Sequence, residues 1–250
     1  MKIAATVQAR MGSSRLPGKV LKTIIGKPML ELEIERIRMS ALIDEVIVAT
    51  SVEERDDPIE KLALETGVKC FRGSENDVLS RIAGALKAFR VDIHAEFMGD
   101  NPIPDPLLVD AFIGYYLKNV DTYDYVTNAL KTTYPPGAEV FVYSASVLYD
   151  AESRATDPFL REHVAPNICR HPERYRICNL EAPPWFHYPD LHLEVDTQED
   201  FEVISAIYEH FYPSNPGFCL AQVIDFMNAH PELAALNQQT ERRWRVFRKD

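Results

Sequence analysis

The feature that most constrains the fold is an alternation of strand-like and helix-like segments across the first half of the chain. Short apolar runs typical of buried strands alternate with longer segments whose apolar residues recur at helical spacing. The predicted strands are Lys2–Val7, Glu45–Thr50, Val68–Phe71 and Ile93–Met98; the predicted helices are Met29–Met39, a segment capped by Asp57 and ended by Gly67, a segment with a Ser74–Asp77 capping box that reaches Phe89, and Pro106–Lys118. This alternation predicts an α/β fold, a mostly parallel sheet with helices on both faces.

The second half of the chain is less regular. Strands are predicted at Asp124–Ala129, Ala138–Tyr143, Tyr175–Leu180 and Leu191–Val195, and helices at Ala145–Ser153, Pro158–Arg170 and after Thr197. The sequence contains no internal repeat, and its composition does not shift at any point that would indicate a domain boundary. We therefore expect one domain over residues 1–230, followed by a polar tail over residues 231–250.

A basic, glycine-bearing segment follows the first predicted strand. It runs from Gln8 to Lys19, reads QARMGSSRLPGK, and contains two arginines, one lysine, two serines and two glycines. Glycines let the backbone approach a ligand closely, and successive N–H groups in such a turn form an anion-binding concavity. Arginine can bind phosphate through two parallel hydrogen bonds. The segment predicts a polyphosphate-binding loop; a solvated basic loop is the alternative.

The spacing within this loop argues against an ATPase P-loop. A Walker A motif has four residues between its first glycine and the Gly-Lys pair, which a Ser or Thr follows. Here Gly12 and Gly18 enclose five residues, and Val20 follows Lys19. The dinucleotide-binding pattern G-x-G-x-x-G is absent as well.

Charge and composition limit the classes of molecule that the protein is expected to bind. The formal net charge of -11 and the pI of about 5.2 argue against duplex nucleic acid, which needs a basic face. The basic loop is therefore expected to bind a small anion. Four cysteines without C-x-x-C spacing suggest neither zinc nor a redox motif. Together with the lack of a membrane-length apolar run and of a signal-peptide pattern, they predict a cytoplasmic protein with no membrane partner.

Polar residues follow several of the predicted strands. Ligands bind outside the carboxyl ends of strands in open α/β sheets. The basic loop, Thr50-Ser51, Arg72-Gly73-Ser74 and Gly99-Asp100 all stand at such ends. We therefore expect them to line a single site.

Two acids at predicted strand ends are candidate metal ligands. Asp100 lies in Gly-Asp-Asn-Pro and Asp196 in Glu-Val-Asp-Thr. Mg²⁺ prefers hard oxygen donors and usually takes one or two carboxylates together with substrate phosphates. The alternative is that each acid is a helix N-cap or a turn residue.

Several segments resemble one enzyme family. QARMGSSRLPGK resembles the N-terminal signature of the cytidylyltransferases that activate sugars, which include 3-deoxy-manno-octulosonate and acylneuraminate cytidylyltransferases. The resemblance is greatest to the spore-coat-polysaccharide (SpsF-like) branch. Further matching segments follow in family order: Asp44–Thr50, Phe71–Leu79, Gly99–Pro102, Arg161–Val164 and Val195–Phe201.

This resemblance implies a Rossmann-like nucleotidyltransferase fold with a mixed, mostly parallel sheet. It also implies transfer of CMP from CTP to a sugar acid or related small anionic acceptor, with release of pyrophosphate and with Mg²⁺ as cofactor. Asp100 and Asp196 match the metal-binding acids, and Arg10, Arg15 and Lys19 match the cations that act on the triphosphate. The predicted nucleotide-binding residues are Gln8, Ala9, Arg10, Gly12, Ser13, Ser14, Arg15, Lys19, Thr50, Ser51, Arg72, Gly73 and Ser74.

The acceptor side is predicted from three residues. Glu139 matches a family segment that usually carries an acid there and could orient acceptor hydroxyls; a solvent-facing strand glutamate is the alternative. Arg161 and His163 lie on a predicted helix and could bind an acidic acceptor. The alternative is a helix-terminal Arg-Glu pair beside a packed histidine.

Three other functions stay open at this point. The acceptor could be a sugar phosphate, a polyol phosphate or a phosphonate. A nucleotide-sugar glycosyltransferase is disfavoured because a diphosphate-sugar donor needs no such cluster of cations. A catalytically silent nucleotide-binding module is disfavoured by the presence of both acids and all three loop cations. The resemblance also implies a homodimer, for which residues 124–143 are the predicted interface.

Overall fold

The structure is a computed structural model that describes residues 1–242. Its strands are β1 (Ile3–Gln8), β2 (Thr23–Ile24), β3 (Lys27–Pro28), β4 (Glu45–Ser51), β5 (Lys69–Gly73), β6 (Ile93–Met98), β7 (Tyr125–Thr127), β8 (Phe141–Ser144) and β9 (Ile177–Asn179). Its α-helices are α1 (Met29–Ile37), α2 (Asp57–Glu65), α3 (Val78–Ala88), α4 (Pro106–Lys118), α5 (Ala145–Arg154), α6 (Pro158–Arg161), α7 (Pro166–Cys169), α8 (Gln198–Phe211), α9 (Leu220–Ala229) and α10 (Pro231–Asn237).

Seven of these strands form one central sheet in the order β5-β4-β1-β6-β8-β7-β9. The four strands β5, β4, β1 and β6 are parallel, β8 is antiparallel to β6 and β7, and β9 is parallel to β7. The predicted α/β fold with a mixed, mostly parallel sheet is confirmed.

Strand β1 is apolar along its length because the sheet is covered on both faces. Ile3, Ala5 and Val7 belong to one hydrophobic core, whereas Ala4 belongs to a second core on the other face. All of them are buried. Their alternation explains why the strand is a continuous apolar run, and it places the end of β1 between two layers of helices.

Several helix ends were predicted correctly in position but not in detail. Asp77 caps α3 by accepting from the N–H of Ser80 at 3.0 Å. The Ser74 hydroxyl accepts from the Asp77 N–H at 3.1 Å, the first bond of the predicted capping box, but the N-cap of α3 is Asp77. The predicted cap Asp57 is the first residue of α2, and the N-cap is Asp56, whose carboxylate is bonded elsewhere.

Two elements of the second half differ from the prediction. The helix predicted over Pro158–Arg170 is two short helices, and proline is the first residue of each. Pro166 cannot donate the N–H that would continue α6. The predicted strand Leu191–Val195 is irregular, although Leu193 donates to Pro136 at 2.7 Å and Val195 donates to Asp100 at 2.7 Å.

The C-terminal part packs onto the rest of the molecule as far as the structure describes it. Helix α10 lies against α8, and Asn237 and Arg242 are only 2% and 4% exposed. Residues 243–250 of the predicted tail lie outside the described residues. Within residues 124–143, most side chains of β7, β8 and their connection are buried inside the subunit. Of the helices in residues 1–242, none is long and apolar enough to cross a membrane.

Candidate active site

The loop after β1 is attached to the neighbouring strand by a buried acid. Asp56 is fully buried and accepts from the Met11 N–H at 2.8 Å and from the hydroxyl of Ser51, which ends β4. Ala9 donates to Ala49 at 3.2 Å. The loop closes where Gly18, with φ of +68°, donates to the Met11 carbonyl; glycine adopts this left-handed backbone without strain. These bonds fix the loop over the carboxyl ends of β1 and β4.

Lys19 joins the end of this loop to both predicted metal-binding acids. Its Nζ lies 2.6 Å from the Val195 carbonyl, 3.1 Å from Asp100 Oδ2 and 3.2 Å from Asp196 Oδ1. Burial lowers the pKa of Lys19, but the charges and hydrogen bonds of Asp100 and Asp196 outweigh it, so the net pKa is raised. The ammonium is therefore charged at neutral pH, although the residue is only 7% exposed.

Arg15 approaches one of these acids, Asp196, from the loop. Its Nη2 lies 2.6 Å from Asp196 Oδ2, and its Nη1 donates to the Glu241 carbonyl at 2.7 Å. Arg10 lies apart from this cluster: it is exposed, and its positive charge helps to lower the pKa of Arg81 on α3. The structure thus brings together two of the three predicted loop cations and places the third nearer to α3.

The carboxylates of Asp100 and Asp196 fit a magnesium site whose remaining ligands come from a substrate. Asp100 and Asp196 converge on a single atom, the Lys19 Nζ, so their oxygens can also converge on one cation. In residues 1–242 no group of three or more His, Cys, Asp or Glu side chains could hold a metal by itself. Two carboxylates that leave positions open to phosphate oxygens are typical of Mg²⁺ sites. The N-cap of α8 is Thr197, so capping does not account for Asp196.

The end of β5 contributes a close backbone approach. A Cβ added to Gly73 would lie 2.9 Å from Cγ and 3.2 Å from Cα of Arg81, so glycine is required where α3 passes this strand. Ser74 accepts from Arg81 Nη1 through its carbonyl at 2.6 Å. Thr50, at the end of β4, is fully buried.

Arg72 is bonded to the segment after β4 and to helix α2. Its guanidinium donates to the carbonyls of Ser51 and Glu53 and pairs with Asp57 and Glu60 of α2. These contacts attach α2 to the edge of the sheet. The predicted role of Arg72 in nucleotide binding stays a prediction, and the observed contacts are structural.

A family model of cytidylyltransferases matches residues 4–242 of the chain. The chain belongs to the cytidylyltransferase family. It is therefore a nucleotidyltransferase enzyme, and the site at the carboxyl ends of β1, β4 and β6 is its candidate active site.

Individual relatives agree with this assignment. The spore coat polysaccharide biosynthesis protein SpsF of Bacillus subtilis is 36% identical over 91% of this chain and 95% of its own length. A 3-deoxy-manno-octulosonate cytidylyltransferase of Geobacter metallireducens is 35% identical over 45% of this chain and 44% of its own length. A cytidylyltransferase structure from Leptospira borgpetersenii superposes with a TM-score of 0.89 at 28% identity and covers 97% of this chain and 99% of its own.

Three buried polar residues of this cytidylyltransferase were not predicted from the sequence. Asp56 anchors the loop as described above. Arg81 is 3% exposed and its Nε has no hydrogen-bond partner among the described residues; burial and the charge of Arg10 lower its pKa to about 10. It lies three residues after Val78 on the apolar face of α3. A charge at that position was the available signal.

Glu96 is the third, and it holds Gln8 at the end of β1. Its Oε1 accepts from Gln8 Nε2 at 2.6 Å, and its Oε2 accepts from the Tyr143 hydroxyl at 2.6 Å. Burial raises the pKa of Glu96 to about 7, against the lowering effect of these two hydrogen bonds. This bond uses one of the two N–H groups of the Gln8 amide and so fixes the orientation of the amide at the end of β1.

The predicted acceptor residues separate in the structure. Glu139 Oε2 accepts from Asn101 Nδ2 at 3.1 Å and from the Gly137 N–H at 2.8 Å, which places it beside the residue that follows Asp100. Arg161 is paired with Asp77 and Glu152, both at 2.9 Å. Burial, together with the charge of Arg10, lowers the pKa of His163. Glu139 therefore lies at the rim, whereas the charge of Arg161 is taken up within the protein.

Proposed function

We propose that this cytidylyltransferase transfers CMP from CTP to a sugar acid, releases pyrophosphate and so supplies a CMP-activated sugar for polysaccharide or glycan synthesis. The observation that carries the proposal is the convergence of Lys19 on Asp100 and Asp196 below the glycine loop, with Arg15 on Asp196. The names of two relatives, one in polysaccharide biosynthesis and one acting on 3-deoxy-manno-octulosonate, support the class of acceptor.

The donor side follows from the loop and its cations. The backbone around Gly12 to Ser14 and the side chains of Arg10, Arg15 and Lys19 would hold the triphosphate. Arg15 and Lys19 are paired with the two acids. On CTP binding they would turn to phosphate oxygens as the acids take up a cation.

Asp100 and Asp196 would hold Mg²⁺. When bound there, this ion would polarise the α-phosphoryl group and neutralise part of the phosphate charge. The remaining chemistry needs little covalent help, since phosphoryl transfer depends mainly on positioning and charge neutralisation.

The reaction itself is an in-line displacement. An acceptor hydroxyl oxygen bonds to the α-phosphorus, and the bond from that phosphorus to the oxygen that bridges to the β-phosphorus breaks. The hydroxyl proton is released to water. The electron pair leaves with pyrophosphate, whose growing negative charge Lys19 and Arg15 would stabilise. Glu139, beside Asn101, would orient acceptor hydroxyls.

A substrate matrix tests this proposal. ATP, CTP, GTP and UTP are each combined with Mg²⁺ and with sugar acids, a sugar phosphate or a phosphonate, and pyrophosphate release is measured. We expect release with CTP and a sugar acid only. Release with a phosphorylated acceptor would replace the acceptor class, and CTP binding without release from any pair would indicate a silent binding module.

A further inference from the structure

The turn that carries Asp196 is held by a second, deeper acid. Asp200, in the first turn of α8, is fully buried. Its Oδ2 accepts from the N–H groups of Asp196 and Thr197, both at 2.9 Å. These two bonds set the direction in which the chain leaves Val195, and therefore the position from which the Asp196 side chain reaches Lys19 and Arg15.

Asp200 is in turn held by the C-terminal segment, residues 237–242. Arg242 forms a bidentate ion pair with Asp200: Nη2 donates to Oδ1 at 2.7 Å and Nη1 donates to Oδ2 at 3.0 Å. Asn237 Nδ2 donates to Oδ1 at 2.9 Å. Among the described residues, Arg242 provides the ion pair of Asp200. A fully buried carboxylate needs such a partner, because an unpaired charge in the interior is strongly destabilising.

The same segment contacts two further groups of the site. Arg242 Nε lies 3.4 Å from Oε1 of Glu194, two residues before Asp196. The Glu241 carbonyl accepts from Arg15. Arg242 thus contacts Glu194 and Asp200, the acid that holds the turn, while its neighbour Glu241 contacts the loop cation Arg15.

We propose that Arg242 is a positioning residue of the active site, which holds Asp196, through Asp200, where it can bind a divalent cation together with the triphosphate. It touches neither substrate nor the reacting atoms. The inference rests on the proposed function, since it concerns the ability of Asp196 to share a cation with CTP.

Binding of Mn²⁺, followed by electron paramagnetic resonance in the presence of CTP, tests this role apart from turnover. We expect Arg242→Gln to raise the apparent Kd of Mn²⁺ by about tenfold, since the neutral amide leaves Asp200 unpaired. Arg242→Lys should recover part of the lost Mn²⁺ affinity, because lysine restores the charge but not the bidentate geometry. In turnover, the Mg²⁺ concentration for half-activation should rise more than kcat falls.

The control is Arg154→Gln, which breaks an exposed ion pair with Asp150 on α5. Neither residue contacts Asp196, Asp200 or Arg242 in the described part of the chain, so Mn²⁺ binding should be unchanged. Asn237→Ala removes one hydrogen bond to Asp200 and one to the His192 carbonyl and leaves the ion pair in place, so it tests the proposal even if Arg242→Gln does not fold. It should weaken Mn²⁺ binding by a few-fold.

Two negative outcomes are distinguishable. If the wild-type enzyme binds Mn²⁺ with CTP and the folded Asn237 and Arg242 variants bind it equally well, the positioning role is refuted and the proposed function stands. If the wild-type enzyme binds no Mn²⁺ with CTP, the proposed function fails and this inference fails with it.

Discussion

Replacing Lys19 with methionine removes the ammonium that holds the two acids together and keeps the unbranched side chain as far as Cε. Lys19 makes three contacts through Nζ, and two of them are to carboxylates. Breaking a buried ion pair on one side lowers stability by about 3–5 kcal/mol. Because the Asp100 side chain is 36% exposed, water replaces part of this contact, and we expect about 2–4 kcal/mol.

The same substitution has opposite effects on catalysis and on cation binding. Loss of one preorganised charge at the leaving group should reduce pyrophosphate release by about 10²–10³-fold. Without nucleotide, however, Lys19→Met should bind Mn²⁺ more tightly than the wild type, because the ammonium no longer competes for the two carboxylates. A merely misfolded variant would lose both.

Three assays check this prediction: urea unfolding, pyrophosphate release from CTP, and Mn²⁺ binding without nucleotide. The control is Lys61→Met on α2, whose side chain is 76% exposed and whose loss should change the free energy of unfolding by less than about 0.5 kcal/mol. Turnover within threefold of wild type, or Mn²⁺ binding no tighter than wild type, would refute the reasoning.

Three further predictions concern other residues around the site. Burial raises the pKa of Glu96 to about 7, so the folded protein binds more protons than the unfolded chain between about pH 4.5 and 7, and the free energy of unfolding falls as the pH rises through that window. Glu96→Gln should remove about 2–3 kcal/mol of this fall between pH 5 and 8, measured by urea unfolding at each pH; an equal fall in wild type and variant would contradict this. Arg72→Gln should lower the melting temperature with less than threefold change in the KM for CTP, whereas Arg81→Gln should raise that KM at least fivefold; the reverse pattern would restore Arg72 to the nucleotide site. Asp56→Ala should raise the KM for CTP several-fold without changing the acceptor KM, because the loop loses its attachment at Met11; equal effects on both substrates would argue against this attachment.

The parts of the site that could be predicted are those set by chain order. Lys19, Asp100 and Asp196 were expected together because parallel strands bring their carboxyl ends to one edge, and the structure places all three within hydrogen-bond distance. Leu191–Val195 is irregular, but Asp196 still lies beside Asp100 because the Val195 N–H donates to the Asp100 carbonyl.

The parts that could not be predicted are contacts between residues far apart in sequence. Asp56 was indistinguishable from a helix-capping acid, although it is bonded to Met11, 45 residues earlier. Arg242 and Asp200 are paired although 42 residues separate them, and Arg242 lies in the segment that was predicted only as a polar tail. Arg72 was assigned from its place in a motif, but its direction depends on acids of α2 that only the packed structure brings close.

The central claim is that the α-phosphate of CTP moves to an acceptor at the Asp100–Asp196 site. CTP labelled with ³²P at the α-position, incubated with Mg²⁺ and a sugar acid, tests it most directly by following the label. We expect the label to appear in a CMP–sugar acid adduct while unlabelled pyrophosphate is released, and we expect Asp196→Asn to abolish the transfer. Label that stays in CTP, or appears as free CMP whether or not an acceptor is present, would contradict it.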